Sequence, residues 1–151
     1  MKGFYKAIDT LKAELIAEPF TNTVTYGSLD DIDLNKQDIF PLAHIIVNSS
    51  TVASNTLSFN ISILAMDIVD ISNEEADKFK GNDNEQDVLN TQLALLTRVI
   101  NKLQRGDLFT ELYQVEGDIT CEPFVDRFEN KLAGWAATFD LLVQNDMTIC
   151  D

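Results

Sequence analysis

The sequence predicts an α+β fold in a single domain over residues 1–151, with a mainly antiparallel sheet of about 4–6 strands, one long helix packed across it and a short N-terminal helix. Residues 57–65 alternate between apolar and polar side chains, which is typical of a strand buried on one face. Residues 89–103 instead repeat leucine or isoleucine at spacings of four and three, which keeps one stripe of a helix apolar. Residues 135–143 alternate again and indicate another strand. Together these patterns predict a sheet with a helix against it.

The N-terminal segment predicts a short helix followed by a strand. Apolar side chains recur at helical spacing between residues 3 and 17, and Pro19 ends the helix because it disfavours helical geometry in the residue before it. Residues 21–26 then alternate and stop at Gly27, which suits a turn. An acidic segment over residues 29–38 follows. The apolar positions of the predicted helix are Phe4, Ile8, Leu11 and Leu15.

Residues 40–69 predict two long antiparallel strands at the centre of the sheet. The first covers residues 40–53, is rich in branched apolar side chains and is interrupted at Asn48 by a polar bulge or turn. A short polar turn then leads into the alternating strand. The length of this turn suggests that Val47 pairs near Ile61.

A polar segment and the long helix come next. Residues 70–87 are rich in Asn, Asp, Glu and Lys and predict a solvated loop that ends at the helix N-cap, Asp83 or Asn84. Acidic residues in the first helical turn stabilise the helix, because their negative charge interacts favourably with the positive end of the helix dipole. The helix is expected to end near Arg105, since Gly106 suits the position just after a helix.

Two strands are predicted to close the sheet. They cover residues 112–123 and 131–144, with a charged connection over residues 124–130. Trp135 lies in the second of them and is expected to pack in the core or on the sheet rather than to form a ligand platform. The long helix is expected to lay its apolar stripe on this sheet, with a seam for a partner helix as the alternative.

The net charge of −14 comes from 11 basic and 25 acidic residues spread along the chain. Binding of duplex DNA or RNA to the general surface is unexpected, because phosphate binding needs clustered Lys and Arg. Two interpretations remain open. The charge supports solubility, or it faces a passage through which DNA slides without adhering.

Two cysteines, Cys121 and Cys150, lack the spacing of a metal or redox motif and predict free thiols in a reducing compartment. The N-terminal segment contains charges where a signal peptide would be apolar. No apolar run approaches the roughly 18 residues that a membrane span requires. We therefore expect a protein that is made in the cytoplasm and has no membrane partner.

Residues that could carry chemistry are few. The spacing of the first ligands in a calcium-binding loop is matched by Asp31, Asp33 and Asn35. However, Lys36 occupies the position where an EF-hand requires glycine. His44 is the single histidine and lies in an apolar stretch, which favours a packed, hydrogen-bonded role. No phosphate-binding, dinucleotide, nucleophile-elbow or zinc-protease motif occurs. We expect no catalytic residues, no cofactor, no metal and no enzyme activity.

Short strings and the order of elements resemble one known family. Residues 40–44 (Phe-Pro-Leu-Ala-His) open a strand, residues 63–67 (Ile-Leu-Ala-Met-Asp) close the next, a helix follows from Asn84, and residues 130–135 (Asn-Lys-Leu-Ala-Gly-Trp) begin the closing strand. In this order the chain resembles the tail-terminator and tail-completion (neck) proteins of tailed bacteriophages, and the likeness covers most of its length.

The resemblance implies a structural virion protein, made in the host cytoplasm, that forms a homo-oligomeric ring, usually of six copies. Such a ring caps the tail tube protein at its head-proximal end and joins it to the head connector or stopper protein. Six copies at −14 would bring roughly −84 formal charges around the DNA passage. Head-to-tail contacts in a ring need two different patches, and we assign one of them to residues 71–84. The candidate interface residues are Ile71, Glu74, Glu75, Phe79 and Asn84, and the candidate acidic residues facing the channel or a partner are Asp30, Asp31 and Asp33.

Two other functions fit parts of the sequence. A small acidic adaptor or immunity-type inhibitor would neutralise a basic protein partner by charge complementarity and would act as a tight heterodimer. A small metal-dependent enzyme would use Asp31 and Asp33, and changing both to Asn would test it. A neighbourhood of virion genes would favour the ring protein, and a paired toxin gene would favour the inhibitor.

Overall fold

A computed structural model of the chain describes residues 2–28, 37–69, 84–105, 113–115, 117–125, 132–145 and 147. Within these residues the fold is α+β, with two α-helices and a mixed sheet of six strands. No helix among them is both long enough and apolar enough to span a lipid bilayer. In chain order the elements are α1 (Lys2–Ile16), β1 (Thr23–Tyr26), β2 (Leu42–Val52), β3 (Thr56–Ile68), α2 (Glu85–Gln104), β4 (Tyr113–Val115), β5 (Cys121–Val125) and β6 (Leu132–Gln144).

The sheet has the order β1-β2-β3-β6, and both β4 and β5 pair with the remaining edge of β6. Every pair is antiparallel except β1 and β2, which run parallel from Thr23 beside Leu42 to Tyr26 beside Ile45. The sheet is therefore mixed. A parallel neighbour requires a crossover connection of a dozen or more residues, and the chain between Tyr26 and Leu42 is long enough to provide one.

The predicted central hairpin is confirmed in its strands and in its register. Val47 lies directly opposite Ile61, and the register shifts between Val47 and Ser49, where the polar bulge was expected. The apolar positions of β3 from Leu57 to Ala65 are buried, and the alternate positions are half-buried. Because β3 also pairs with the whole of β6, it is the innermost strand of the sheet.

The main core lies between one face of the sheet and the two helices. Buried side chains of α1, α2, β3 and β6 form one apolar cluster, and Phe4 of α1 meets Phe59 of β3 edge-on at 5.3 Å between ring centroids. The helix-facing positions of β6 predicted from its alternation are confirmed as buried, while Trp135 is half-buried. The buried core positions of α1 are Ala7, Ile8, Leu11 and Leu15, with Phe4 packed against them.

The buried stripe of α2 differs from the predicted one. Leu96, Ile100 and Leu103 are buried as expected, whereas Leu89 and Leu93 are only half-buried. Apolar residues cover an arc of α2 wider than one heptad stripe, and the helix turns the middle of that arc toward the sheet. Its buried residues are Val88, Gln92, Leu95, Leu96, Val99, Ile100 and Leu103.

The predicted strand over residues 112–123 is wrong, because two short strands, β4 and β5, occupy this region. Gly117 separates them with a positive φ of 76°, a backbone conformation that a glycine adopts without steric cost. The predicted connection over residues 124–130 also begins too early. Phe124 belongs to β5 and is buried in a second apolar cluster with Leu132.

Candidate functional site

Most of the predicted interface residues lie outside the described residues. These are Ile71, Glu74, Glu75 and Phe79 of the predicted ring contact, and Asp30, Asp31 and Asp33 of the predicted acidic loop. Asn84 is described and occupies the N-cap of α2, as predicted. Its side chain makes no capping hydrogen bond, but its carbonyl oxygen accepts from the backbone N–H of Val88 at 2.9 Å.

His44 is fully buried on β2 and joins two strands, which matches its expected structural role. Its Nε2 lies 2.7 Å from the carbonyl oxygen of Gly27, and its Nδ1 lies 2.7 Å from Oγ1 of Thr25. A carbonyl only accepts, so Nε2 donates to Gly27 and Nδ1 of the neutral ring accepts the Thr25 hydroxyl proton. Gly27 has a φ of 114°, so the turn after β1 places this carbonyl beside the imidazole.

Acidification is expected to destabilise the fold through His44. Burial lowers the pKa of His44 below its ordinary value of 6.5, although the hydrogen bond to Gly27 opposes the shift. The unfolded chain then binds more protons at this residue than the folded chain, so its contribution to stability is complete above pH 6.5 and is lost as the pH falls toward the folded pKa. Urea unfolding at pH 7.5 and at steps down to pH 5 measures this loss.

His44→Gln is the control for that titration, because His44 is the only histidine. The variant is expected to have a lower free energy of unfolding at pH 7.5. It is also expected to lose the decline of stability that protonation of His44 causes below pH 6.5. Asp67 has the opposite effect on the pH dependence of stability. Burial raises the pKa of its carboxyl above 3.8, so the folded chain binds a proton there more readily than the unfolded chain. An identical decline of stability in the wild type and in His44→Gln would contradict the assignment.

The sheet face turned away from the helices carries a network of polar side chains over three strands. Asn48 of β2 donates to Oδ1 of Asn60 and to Oγ of Ser62, both at 2.9 Å. Asn60 donates in turn to Oδ1 of Asp140 on β6 at 3.0 Å, and Ser62 lies 2.8 Å from Oγ1 of Thr138. We call these five residues the open sheet face. Their cross-strand bonds hold polar groups in fixed positions at the surface.

A charged cluster joins the end of α1 to α2. Glu18 is 4% exposed and accepts a hydrogen bond from Nε of Arg98 at 2.8 Å, while Nζ of Lys102 lies 3.1 Å from Oε2 of Glu14. The Arg98 guanidinium also lies 5.7 Å from the ring centroid of Phe20. The cluster fixes the turn after α1 against the second helix.

Large apolar side chains are exposed on one side of α1, in the turn that follows it and on strand β1. Tyr5 is 72% exposed, Ile16 67%, Phe20 52% and Tyr26 46%. Nζ of Lys12 lies 5.5 Å from the Tyr26 ring centroid. Such a group of aromatic and aliphatic side chains is typical of a surface that meets another protein. We call Tyr5, Lys12, Ile16, Phe20 and Tyr26 the α1 face.

Sequence reasoning missed this surface, although a signal was present. Tyr5 and Ile16 are eleven residues apart, which is close to three turns of an α-helix, so both lie on one side of α1. That side flanks the buried one, since each residue turns the helix by about 100°. Asp9 and Lys12 lie between them on this side, so apolar periodicity marks only the core stripe of α1.

The metal-ligating and nucleophilic side chains of the described residues are dispersed. No group of three or more His, Cys, Asp or Glu side chains among them could hold a metal ion. Cys121 is a free thiol, and burial raises its pKa, which keeps it protonated and weakly nucleophilic. Trp135 donates from Nε1 to the carbonyl oxygen of Leu89 at 2.8 Å, so its polar atom ties β6 to α2.

Comparison with known proteins adds no relative to this description. No protein-family model matches the sequence, and no curated protein matches it.

Proposed function

We propose that this chain is a structural virion protein of a tailed phage, of the tail-terminator or neck type. It forms a ring of about six copies at the head-proximal end of the tail tube and joins the tube to the head connector, leaving a channel for DNA. It is made in the host cytoplasm and acts in the virion. The order of a short helix, strands, a long hairpin, a long helix and closing strands supports the proposal.

The distribution of charge is the observation that carries the proposal furthest. The described strands contain no Lys or Arg, while Glu122 and Asp140 are exposed acidic residues of β5 and β6. A surface of this kind repels phosphate. A ring that presents it to DNA lets the duplex pass without adhering, which is what a neck protein requires.

In this proposal α2 lies across the sheet and stiffens each copy. Two contacts at its N-terminal end support this placement, since Val88 packs with Ala133, and Leu89 accepts the hydrogen bond from Trp135. The rest of the helix joins the main core with β3 and β6. A rigid protomer suits a ring that must end tube growth with one defined geometry.

Residues 71–84 are proposed as part of the contact between neighbouring copies. Deletion of Glu75 to Gly81 is expected to leave a folded monomer and to weaken the ring, because it removes contact residues and spares the described helices and strands. Circular dichroism checks the fold, and light scattering measures the mass. A ring of unchanged mass and stability would contradict the role of this segment.

The terminator role itself is tested with the tail tube protein of the same phage. Addition of the chain during tube polymerisation is expected to give shorter tubes, each with an extra ring at one end, because a terminator blocks further addition. Tube lengths measured by electron microscopy decide this, with an unrelated acidic protein as the control. Tubes of unchanged length and bare ends would contradict the proposal.

The net charge of −14 also favours a second candidate, an adaptor or immunity-type inhibitor that binds a basic protein. This protein would remain a monomer alone and form a one-to-one complex with its partner. Its binding would weaken steeply with salt, since charge attraction would bring the two proteins together. A pull-down that recovers a basic toxin from the genetic neighbourhood would support it over the ring.

A further inference from the structure

The helical part of the α1 face is a stripe of four residues that runs along α1. Tyr5 and Ile16 lie at its two ends and are 72% and 67% exposed. Asp9 and Lys12 lie between them, so the four positions follow one another at spacings of four, three and four residues. This spacing keeps the side chains on one side of a helix, and it is the spacing of the contact positions in helices that pack side by side.

The two charges in the middle of the stripe have no opposite charge bound to them. Among the described residues neither Asp9 nor Lys12 forms an ion pair. Nζ of Lys12 instead lies 5.5 Å from the Tyr26 ring centroid, which holds the cation at this surface. The stripe therefore presents an acid and a base next to each other, with an exposed apolar residue beyond each.

The order of these residues is self-complementary when the helix is turned end to end. The midpoint between Tyr5 and Ile16 falls between residues 10 and 11, and the midpoint between Asp9 and Lys12 falls at the same place. A two-fold axis through this point relates two antiparallel copies of α1. It sets each Tyr5 against the Ile16 of the second copy, and each Asp9 against the Lys12 of the second copy.

We propose that two copies of this chain pair through antiparallel α1 helices related by this two-fold axis. The contact contains two ion pairs between Asp9 and Lys12 and two apolar contacts between Tyr5 and Ile16. A second copy is the occupant because opposite charges and apolar side chains then match position by position. One helix from each copy covers less than the roughly 800 Å² per partner of a standard interface, so the pairing is weak.

This pairing goes beyond the proposed function and differs from the contact that would build a ring. A two-fold contact closes at two copies, whereas a ring needs head-to-tail contacts. None of the four residues belongs to the segment 71–84 that is proposed for the ring. In a chain that forms rings the pairing joins two rings at high concentration, and in a chain that forms none it gives a dimer.

Charge reversal within the stripe tests the two-fold pairing. Lys12→Glu and Asp9→Lys are each expected to weaken the pairing about tenfold or more, since each places like charges opposite one another twice. The double variant is expected to regain affinity, because the opposite charges return with their positions exchanged. A mixture of the two single variants is also expected to associate, since an acidic stripe then faces a basic one. Sedimentation velocity at 0.15 M salt over about 1 µM to 1 mM protein measures the pairing, and circular dichroism confirms folding.

Arg105→Glu is the matched control, since it makes the same change of charge as Lys12→Glu at an exposed residue outside α1. It is expected to change the pairing less than threefold. Ile16→Ser changes no charge and is expected to weaken the pairing about tenfold or more, because an exposed apolar residue is lost from both ends of the contact.

The outcomes separate this inference from the proposed function. A six-copy ring whose mass stays unchanged up to about 1 mM protein overturns the inference and leaves the ring in place. A wild-type dimer without a ring, lost in Lys12→Glu and in Ile16→Ser, supports the inference and speaks against the ring. Pairing that persists in both variants, or a chain that is monomeric at every concentration, overturns the inference. An Ile16→Ser variant that pairs normally but no longer shortens tail tubes also overturns it, since α1 would then bind the tube protein.

Discussion

Gly134→Ala is expected to destabilise the fold by about 1–3 kcal/mol or more, because a Cβ at this position overlaps the neighbouring strand. A Cβ at Gly134 would overlap the carbonyl oxygen of Ala65 and would lie 2.9 Å from Cα of Met66. These atoms are backbone of the innermost strand, so no side-chain rotation relieves the overlap. Strands β3 and β6 must move apart where they pair. The midpoint of urea unfolding measures the loss.

Gly3→Ala is the matched control for this substitution. A Cβ at Gly3 meets the Val143 side chain at 3.1 Å, and this methyl group can shift. Alanine also favours a helix over glycine by up to about 1 kcal/mol. A change of less than about 1 kcal/mol is therefore expected at Gly3. Equal stability of Gly134→Ala and the wild type would contradict the close approach of the two strands.

Arg98→Met is expected to destabilise the fold by about 1–3 kcal/mol, because it leaves a buried carboxylate without its principal donor. Glu18 is 4% exposed, and the nearest remaining cation, Nζ of Lys102, lies 3.9 Å from its Oε1. The Arg98 side chain is 42% exposed, so water replaces part of the lost interaction and keeps the effect below that of a fully buried pair. Methionine retains the apolar stem beside Phe20.

Glu18→Gln added to Arg98→Met separates the charge from the packing. The double variant is expected to be more stable than Arg98→Met alone, because an uncharged amide is less costly to bury without a cation. Thermal unfolding of the wild type, both single variants and the double variant gives the interaction energy of the pair. Strict additivity of the two single effects would contradict a coupled buried pair.

Side-chain periodicity made most of the fold predictable. The alternation of β3 and β6 marked their buried faces, and the turn between β2 and β3 set the pairing of Val47 with Ile61. Pro19 marked the end of α1 closely, since the helix ends at Ile16. These patterns are local. A local pattern reports which face of an element is apolar, and this is sufficient where one face packs on a core.

Features that depend on distant contacts were not predictable in this way. Gln92 lies in the centre of the buried side of α2, although its polarity argued for an exposed position. The parallel pairing of β1 with β2 depends on the path of the crossover chain. Gly117 separates β4 from β5 with a positive φ angle, and the neighbouring residues give no sign of this angle in the sequence. Part of the candidate site was missed for the same reason, since Tyr26 meets Lys12 of α1 only in the folded chain.

The mass of the purified protein, measured by light scattering over a concentration series with and without magnesium and combined with negative-stain imaging, tests the central claim most directly. The ring account predicts a species of about six times the 16.9 kDa chain mass and a central hole in the images. A strict monomer that also leaves growing tail tubes uncapped would contradict it.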